Sequence, residues 1–309
     1  MTMISLKQLK YFDSVVRLGH FGKAAEHCHV TQPALSMQIQ NMETDLGVKL
    51  LERGPNGVIA TAMGREIAVR AAKILGDVQD LSDYARHGNA LLSGKLHLGV
   101  IPSVAPYVLP PLLPELRSSF PELDLHIRES QTDNLLDELL DGRLDLLLLA
   151  LPLDRNVDEI STEILFEDNF VLALPKDQKL SGKIRANPQL MDGQNLLLLE
   201  EGHCLRDQAI AYCHLQQTGN LNTQGASSLS TLVQMVANGM GITLLPEMSM
   251  EVEARHQRIQ LLHFEKPVPS RQIGLAWRKS SPRTEDFIEF GKRLIMSRKP
   301  ERETAKQTI

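Results

Sequence analysis

The chain has 309 residues, 42% of them hydrophobic, enough for two or three packed domains. A net charge of −5 excludes a polybasic nucleic-acid binder, three cysteines exclude a disulfide scaffold, and no apolar run is long enough to cross a membrane. The first residues hold no apolar targeting core, so a reducing, cytoplasmic location is expected.

The first 65 residues depart from this average, with seven Lys/Arg against five Asp/Glu. Leu6, Leu9, Phe12, Val15, Val16 and Leu18 keep a helical period behind Ser5, a suitable cap. A short helix is expected over 22–28, where Ala24-Ala25 allows close packing, then a turn at His29-Val30. A third helix runs from Gln32 to Leu46, with Thr31 placed to cap it, Pro33 in its first turn and Gly47 at its end. Two short helices around a tight turn predict a helix-turn-helix. Residues 48–53 and 58–60, around the turn 54–57, predict a small hairpin wing. The third helix contains no Lys or Arg. Gln32, Ser36, Gln38 and Gln40, with Thr31 and Pro33 at the helix start, are expected to face base edges. Lys23 and Arg53, with Lys7, Lys10 and the helix N-terminus, are expected to hold phosphates. The alternative is a plain three-helix packing module. His27-Cys28-His29 is dense in potential ligands, but inside a helix-turn-helix Cys28 is expected to be a packing residue.

Residues 61–87 form a long helical segment. Ile67, Ala71, Ile74, Val78 and Leu81 recur at spacings of 4, 3, 4 and 3, a heptad seam. Pairing with a second copy suits a protein that reads two half-sites. The alternative is an amphipathic helix lying on its own domain. Residues 88–94 predict a hinge.

From residue 95, strands (96–101, 123–128, 144–150) alternate with helices (107–120, 134–141), which predicts a mostly parallel α/β sheet. A second unit starts near Phe166, the chain returns to the first sheet at 273–277, and a helix over 284–296 ends it. The expected division is 1–60, a winged helix-turn-helix; 61–94, a linker helix and hinge; 95–300, a two-lobed α/β domain; and 301–309, a polar tail. Lobe I takes 95–165 and 269–300, and lobe II takes 166–268. Such lobes leave a ligand cleft at their strand ends, where residues 101–103 and 129–132 fall. Gly239-Met240-Gly241 follows a helix and precedes a strand, the reverse of a dinucleotide fingerprint, so it reads as a helix end. With no P-loop or zinc-protease motif either, no cofactor and no metal are expected.

Cys204 and Cys213 lie nine residues apart in a segment that reads as helix. On a helix they would face opposite sides, with Cα atoms about 13 Å apart. A disulfide needs Cα atoms within roughly 7 Å, so a bond between them would require the helix to unwind. Cys204 stands at the expected helix start, where backbone N–H groups favour a thiolate. His203, Arg206 and Asp207 flank it with groups able to orient an oxidant. The bland alternative is a pair of inert, partly buried cysteines.

Ala24-Ala25, the string from Val30 to Ile39 and the string from Leu46 to Arg53 together resemble the winged helix of LysR-type transcriptional regulators. Met42-Glu43 stands where that family usually has Leu-Glu. Residues 120–123, 142–145 and 239–246 are similar to the family's effector domain, built like a periplasmic binding protein. Residues 99–107 and 202–209, with Cys213, resemble its hydrogen-peroxide-sensing members. The resemblance implies that Cys204 is oxidised by peroxide and that Cys213 resolves it into an intramolecular disulfide. It also implies that Ser103 (usually Thr in that group) and Thr132 orient peroxide. The implied partners are double-stranded promoter DNA, further copies of the chain in a homotetramer, and RNA polymerase. A regulator rather than an enzyme is expected. Two alternatives are a regulator responding to a small anionic ligand in the cleft, and a thiol peroxidase with a DNA-binding appendage.

Overall fold

The computed structural model describes residues 4–54, 57–86, 91–153, 155, 158–177, 185–191, 193–213, 225–254 and 258–298, except the side chains at 53, 83–86, 188, 189 and 213. The chain divides into two compact units, Met1–Gly88 with Glu138–Arg143, and Asn89–Asp137 with Leu144–Ile309.

In the first unit, helix α1 (Leu6–Leu18) opens with a capping box, in which Ser5 accepts from the Gln8 backbone and Gln8 accepts from the Ser5 backbone. Helix α2 (Phe21–His27) and helix α3 (Gln32–Leu46) pack against it through Tyr11, Val15, Ala24, Ala25, Leu35 and Ile39. Strands β1 (Leu51–Gly54) and β2 (Gly57–Ala60) pair antiparallel as the expected wing. Glu43 on α3 anchors it, accepting from the backbone of Leu50 at 2.9 Å and Leu51 at 3.2 Å and pairing with Lys49 at 2.6 Å. One expectation fails here, because Thr31 makes no side-chain cap on α3. His20 does cap α2, its Nδ1 accepting from Gly22 and Lys23.

Helix α4 (Ala62–Arg86) is the expected linker helix, but its seam is divided. Ile67, Ala68, Ala71 and Leu75 pack on Leu9, Phe12, Met42 and Leu50 of their own unit. Ile74 and Leu81 stay 44% and 68% exposed. A helix of 3.6 residues per turn drifts against a 3.5-residue repeat, so one stripe serves two directions.

In the second unit, strands β3 (Gly94–Val100), β4 (Leu123–Glu129) and β5 (Leu146–Leu151) alternate with helix α5 (Ala105–Ser119) and with α6 (Thr132–Leu140), whose last residues count with the first unit. The long strand β6 (Ile160–Pro175) pairs with β11 (Ser270–Arg278) up to Asn169. From Phe170 it pairs with β9 (Thr243–Pro246) and, further along, with β10 (Ile259–His263). One strand therefore spans both lobes, and the change falls at Asn169/Phe170. The described sheet order is β10-β6-β11-β5-β3-β4, with β9 beside β6. The three strands expected to be parallel are so, β3 pairing parallel with both β4 and β5, while every other described pairing of the sheet is antiparallel. Hydrophobic alternation reports which residues are covered and is blind to strand direction. Helix α8 (Leu229–Ala237) covers the lobe II core through Leu229, Leu232, Val233 and Val236. Helix α9 (Thr284–Ser297) buries Phe287, Phe290 and Leu294. No described helix is long and apolar enough to cross a membrane.

Candidate functional site

Cys204 opens helix α7 (Cys204–Cys213), and Cys213 closes it. The expected helicity between the two cysteines is therefore present in the backbone. Cys204 is half-buried, while the Cys213 side chain lies outside the described residues. Leu205 and Ala209 bury the inner face of α7 in the lobe II core, and Tyr212 meets Phe264 edge-on at 5.2 Å. Ten residues make a marginal helix on their own, so this packing carries its stability.

The turn ahead of Cys204 is built from local bonds. Strand β7 (Leu198–Leu199) pairs with β8 (Gly225–Ala226), and Glu200 N donates to Ala226 O at 3.1 Å. The Arg206 guanidinium donates back to Leu199 O at 3.1 Å, and Arg206 N donates to His203 O at 2.8 Å. Arg206 thus ties α7 to β7 as well as carrying charge near Cys204. His203 is 8% exposed, and burial lowers its pKa, with Glu200 opposing. It is held as a neutral imidazole, able to donate and to accept. Asp207 lies exposed in the first turn of α7.

Lobe I comes against this turn through Gln131, whose Nε2 donates to Glu201 O at 3.1 Å. Gly202 has a φ of +90°, and a Cβ there would lie 2.5 Å from Gln131 Oε1. The backbone conformation favours glycine at this position, and a side chain there would also displace the Gln131 amide. Beside Gln131, the Thr132 hydroxyl is buried and has no hydrogen-bond partner among the described residues. Buried hydroxyls normally find one, so this group is available to something small.

Ser103 and Thr132 each follow a strand of the parallel β3–β4 pair by three residues and share one sheet edge. Ser103 is buried and engaged: Arg271 donates to its Oγ at 2.8 Å and to its carbonyl at 3.0 Å. Arg271 in turn pairs with Asp168 at 2.9 Å, both side chains being essentially inaccessible. The two are register neighbours on β11 and β6. Gln131 falls in the stretch 129–132 that the sequence placed at the cleft edge, whereas Arg271 and Asp168 were not legible there. Arg271 stands between Ser270 and Gln272 at the polar start of β11, so no local pattern marks it, and its partner lies 103 residues away in the chain.

In the helix-turn-helix, Thr31, Gln32, Pro33 and Gln40 are exposed on α3, and Lys23 is exposed on α2, with Lys7 and Lys10 exposed on α1. Ser36 and Gln38 are half-buried and stand about 200° apart around the helix, so they do not share a face. Arg53 lies on β1 with its side chain outside the described residues.

Two family profiles match the chain. Residues 6–65 match the bacterial regulatory helix-turn-helix protein of the lysR family, and residues 89–294 match the LysR substrate binding domain. A probable hydrogen peroxide-inducible genes activator of Streptomyces viridosporus is 43% identical over 93% of this chain and 92% of its own. The DNA-binding transcriptional dual regulator OxyR of Escherichia coli K12 is 39% identical over 90% and 91%. A solved full-length OxyR from Pseudomonas aeruginosa, carrying a cysteine-to-aspartate substitution, superposes with a TM-score of 0.79 at 34% identity, covering 95% of both chains. The chain therefore belongs to the LysR family of DNA-binding transcriptional regulators, and within it is similar to the OxyR group of hydrogen-peroxide-inducible activators.

Proposed function

We propose that this regulator senses hydrogen peroxide through Cys204 and is switched by an intramolecular Cys204–Cys213 disulfide. The Cys204 thiolate attacks one peroxide oxygen, the O–O bond breaks, and the hydroxide released is protonated to water. The Cys213 thiol then attacks the sulfenic sulfur and expels a second water. Two thiols and one peroxide thus become one disulfide and two waters. Peroxide is the oxidant, and the two cysteines supply both electrons.

The observation that carries this reading is the buried Thr132 hydroxyl, unpartnered among the described residues, beside the turn that leads into Cys204. A hydroxyl of that kind suits a ligand of two oxygen atoms. Ser103 would hold the neighbouring position, its hydroxyl fixed by Arg271. Neutral His203 would shuttle or orient a proton. The N-terminus of α7 favours the thiolate that reacts. In this reading α7 is the bistable element, because nine helical residues hold the two cysteines beyond bonding distance. Its unwinding would rearrange the lobe II core around Leu205 and Ala209 and so alter DNA binding.

The same reading has the chain act as a dimer through the exposed part of α4, assembled into a tetramer on promoter DNA, where it meets RNA polymerase in the cytoplasm. On DNA, the uncapped N-terminus of α3 would accept a phosphate. Lys23 and Arg53 would add phosphate contacts, and Gln32, Pro33, Ser36 and Gln40 base or sugar contacts. A small anionic ligand in the cleft is the weaker reading, because the buried Arg271 is already neutralised by Asp168. A thiol peroxidase would need repeated turnover, which a helix refolding at every cycle opposes.

Peptide mapping after one equivalent of peroxide tests the proposal. A Cys204–Cys213 linkage is expected, with Cys28 unmodified. Thr132→Val, which removes the hydroxyl and keeps the shape, is expected to slow that linkage about tenfold, the worth of one hydrogen bond. A bond between chains, or oxidation confined to Cys28, would overturn the mechanism.

A further inference from the structure

The outward face of α3 holds an apolar side chain that the proposed contacts do not use. Met37 is 54% exposed. The buried residues of the helix are Leu35, Ile39, Met42 and Glu43. At 100° per residue, Met37 lies opposite the middle of that buried arc, with Pro33, Gln40 and Thr44 around it. It occupies the centre of the face that a helix-turn-helix presents to the major groove. Isolated exposed hydrophobics are ordinary on protein surfaces. This one sits on the surface whose partner is DNA, in a helix without Lys or Arg.

The major groove carries donors, acceptors and one apolar group, the 5-methyl of thymine. Methionine is unbranched and polarisable, with three rotatable bonds, and adapts to a contact of that size. A polar base edge opposite Met37 would lose its water and gain no hydrogen bond. We propose that Met37 reads a thymine methyl in each half-site and so sets sequence preference at that position. The inference rests on the DNA-binding reading and adds the base type to it.

The test uses the full chain and duplexes enriched from a randomised library. Each thymine of the enriched half-site is replaced singly by uracil, which removes only the methyl. Wild type is expected to lose about fourfold in affinity per half-site at one thymine, the fold-change of burying one methyl group. Met37→Ala should bind the thymine and uracil duplexes equally at that position. Cytosine there should weaken wild-type binding, and 5-methylcytosine should partly restore it for wild type alone. Identical uracil profiles for the two proteins at every thymine, or an enriched half-site without thymine, would overturn the inference and leave DNA binding intact. Failure to enrich any sequence would instead sink the DNA-binding reading. Met37 is exposed and outside the core, so an unchanged thermal melt of Met37→Ala is expected alongside.

Discussion

Two histidines of the effector domain are pushed in opposite directions by their surroundings. His203 loses its charged form to burial beside Cys204. His97 on β3 gains it from the hydrogen bond to Asp145, against the cost of burial, with Nδ1 3.2 Å from Oδ2. The consequences for pH have opposite signs. The His97–Asp145 pair stabilises the fold fully below 6.5, the ordinary imidazole value, and that contribution is lost as pH rises through the raised folded value. His203 costs nothing above 6.5 and destabilises the fold as pH falls below it, where the unfolded chain takes the proton more readily. An NMR titration should find His203 neutral and His97 cationic at pH 6.5, and Asp145→Asn should move the His97 midpoint down while leaving His203 in place. Residue chemistry of this kind was partly legible in the sequence. The crowd of His203, Cys204, Arg206 and Asp207 is local and marked the site. The engagement of Ser103 by Arg271 was not legible, since it depends on β11 lying beside β5, which in turn pairs with β3.

At the scale of elements, α7 is where stability and the proposed switch would meet. Its helix is held by Leu205, Ala209 and Tyr212 packed on the lobe II core and has little length of its own. Weakening the helix without touching the core should therefore favour the oxidised form. Ala211 is exposed on α7, and Ala211→Gly costs a helix interior about 1 kcal/mol. The Cys204–Cys213 midpoint potential should become about 20 mV more negative. An unchanged potential would mean that α7 does not unwind on oxidation. Helices and their ends were read closely from sequence, because caps, periodicity and stop signals act within about four residues. Gly47 closes α3 at a φ of 69°, as expected of the stop signal. Thr31 shows the limit of such reading, since a residue of the right type at the right place leaves the helix start uncapped.

At the scale of the whole molecule, the proposed dimer would form through the exposed part of α4. Its seam residues Ile67 and Ala71 are spent on α1 and the wing's base, leaving Ile74 and Leu81 exposed. Leu81→Glu should shift the protein toward monomer in sedimentation and weaken binding to a two-half-site duplex far more than to a single half-site. An unchanged dimer would place the interface elsewhere. The sequence by itself determined the elements, the winged helix-turn-helix, the two-lobed α/β domain and the helical spacing of Cys204 and Cys213. Each of these follows from side-chain period and local hydrogen bonding. The tertiary structure alone decided the antiparallel pairings, the crossing of β6 between lobes at Asn169/Phe170 and the division of the α4 stripe. It also decided the burial that leaves the Thr132 hydroxyl without a partner among the described residues. Those depend on which distant segments share a surface, and a periodic pattern states that a face is covered without stating by what.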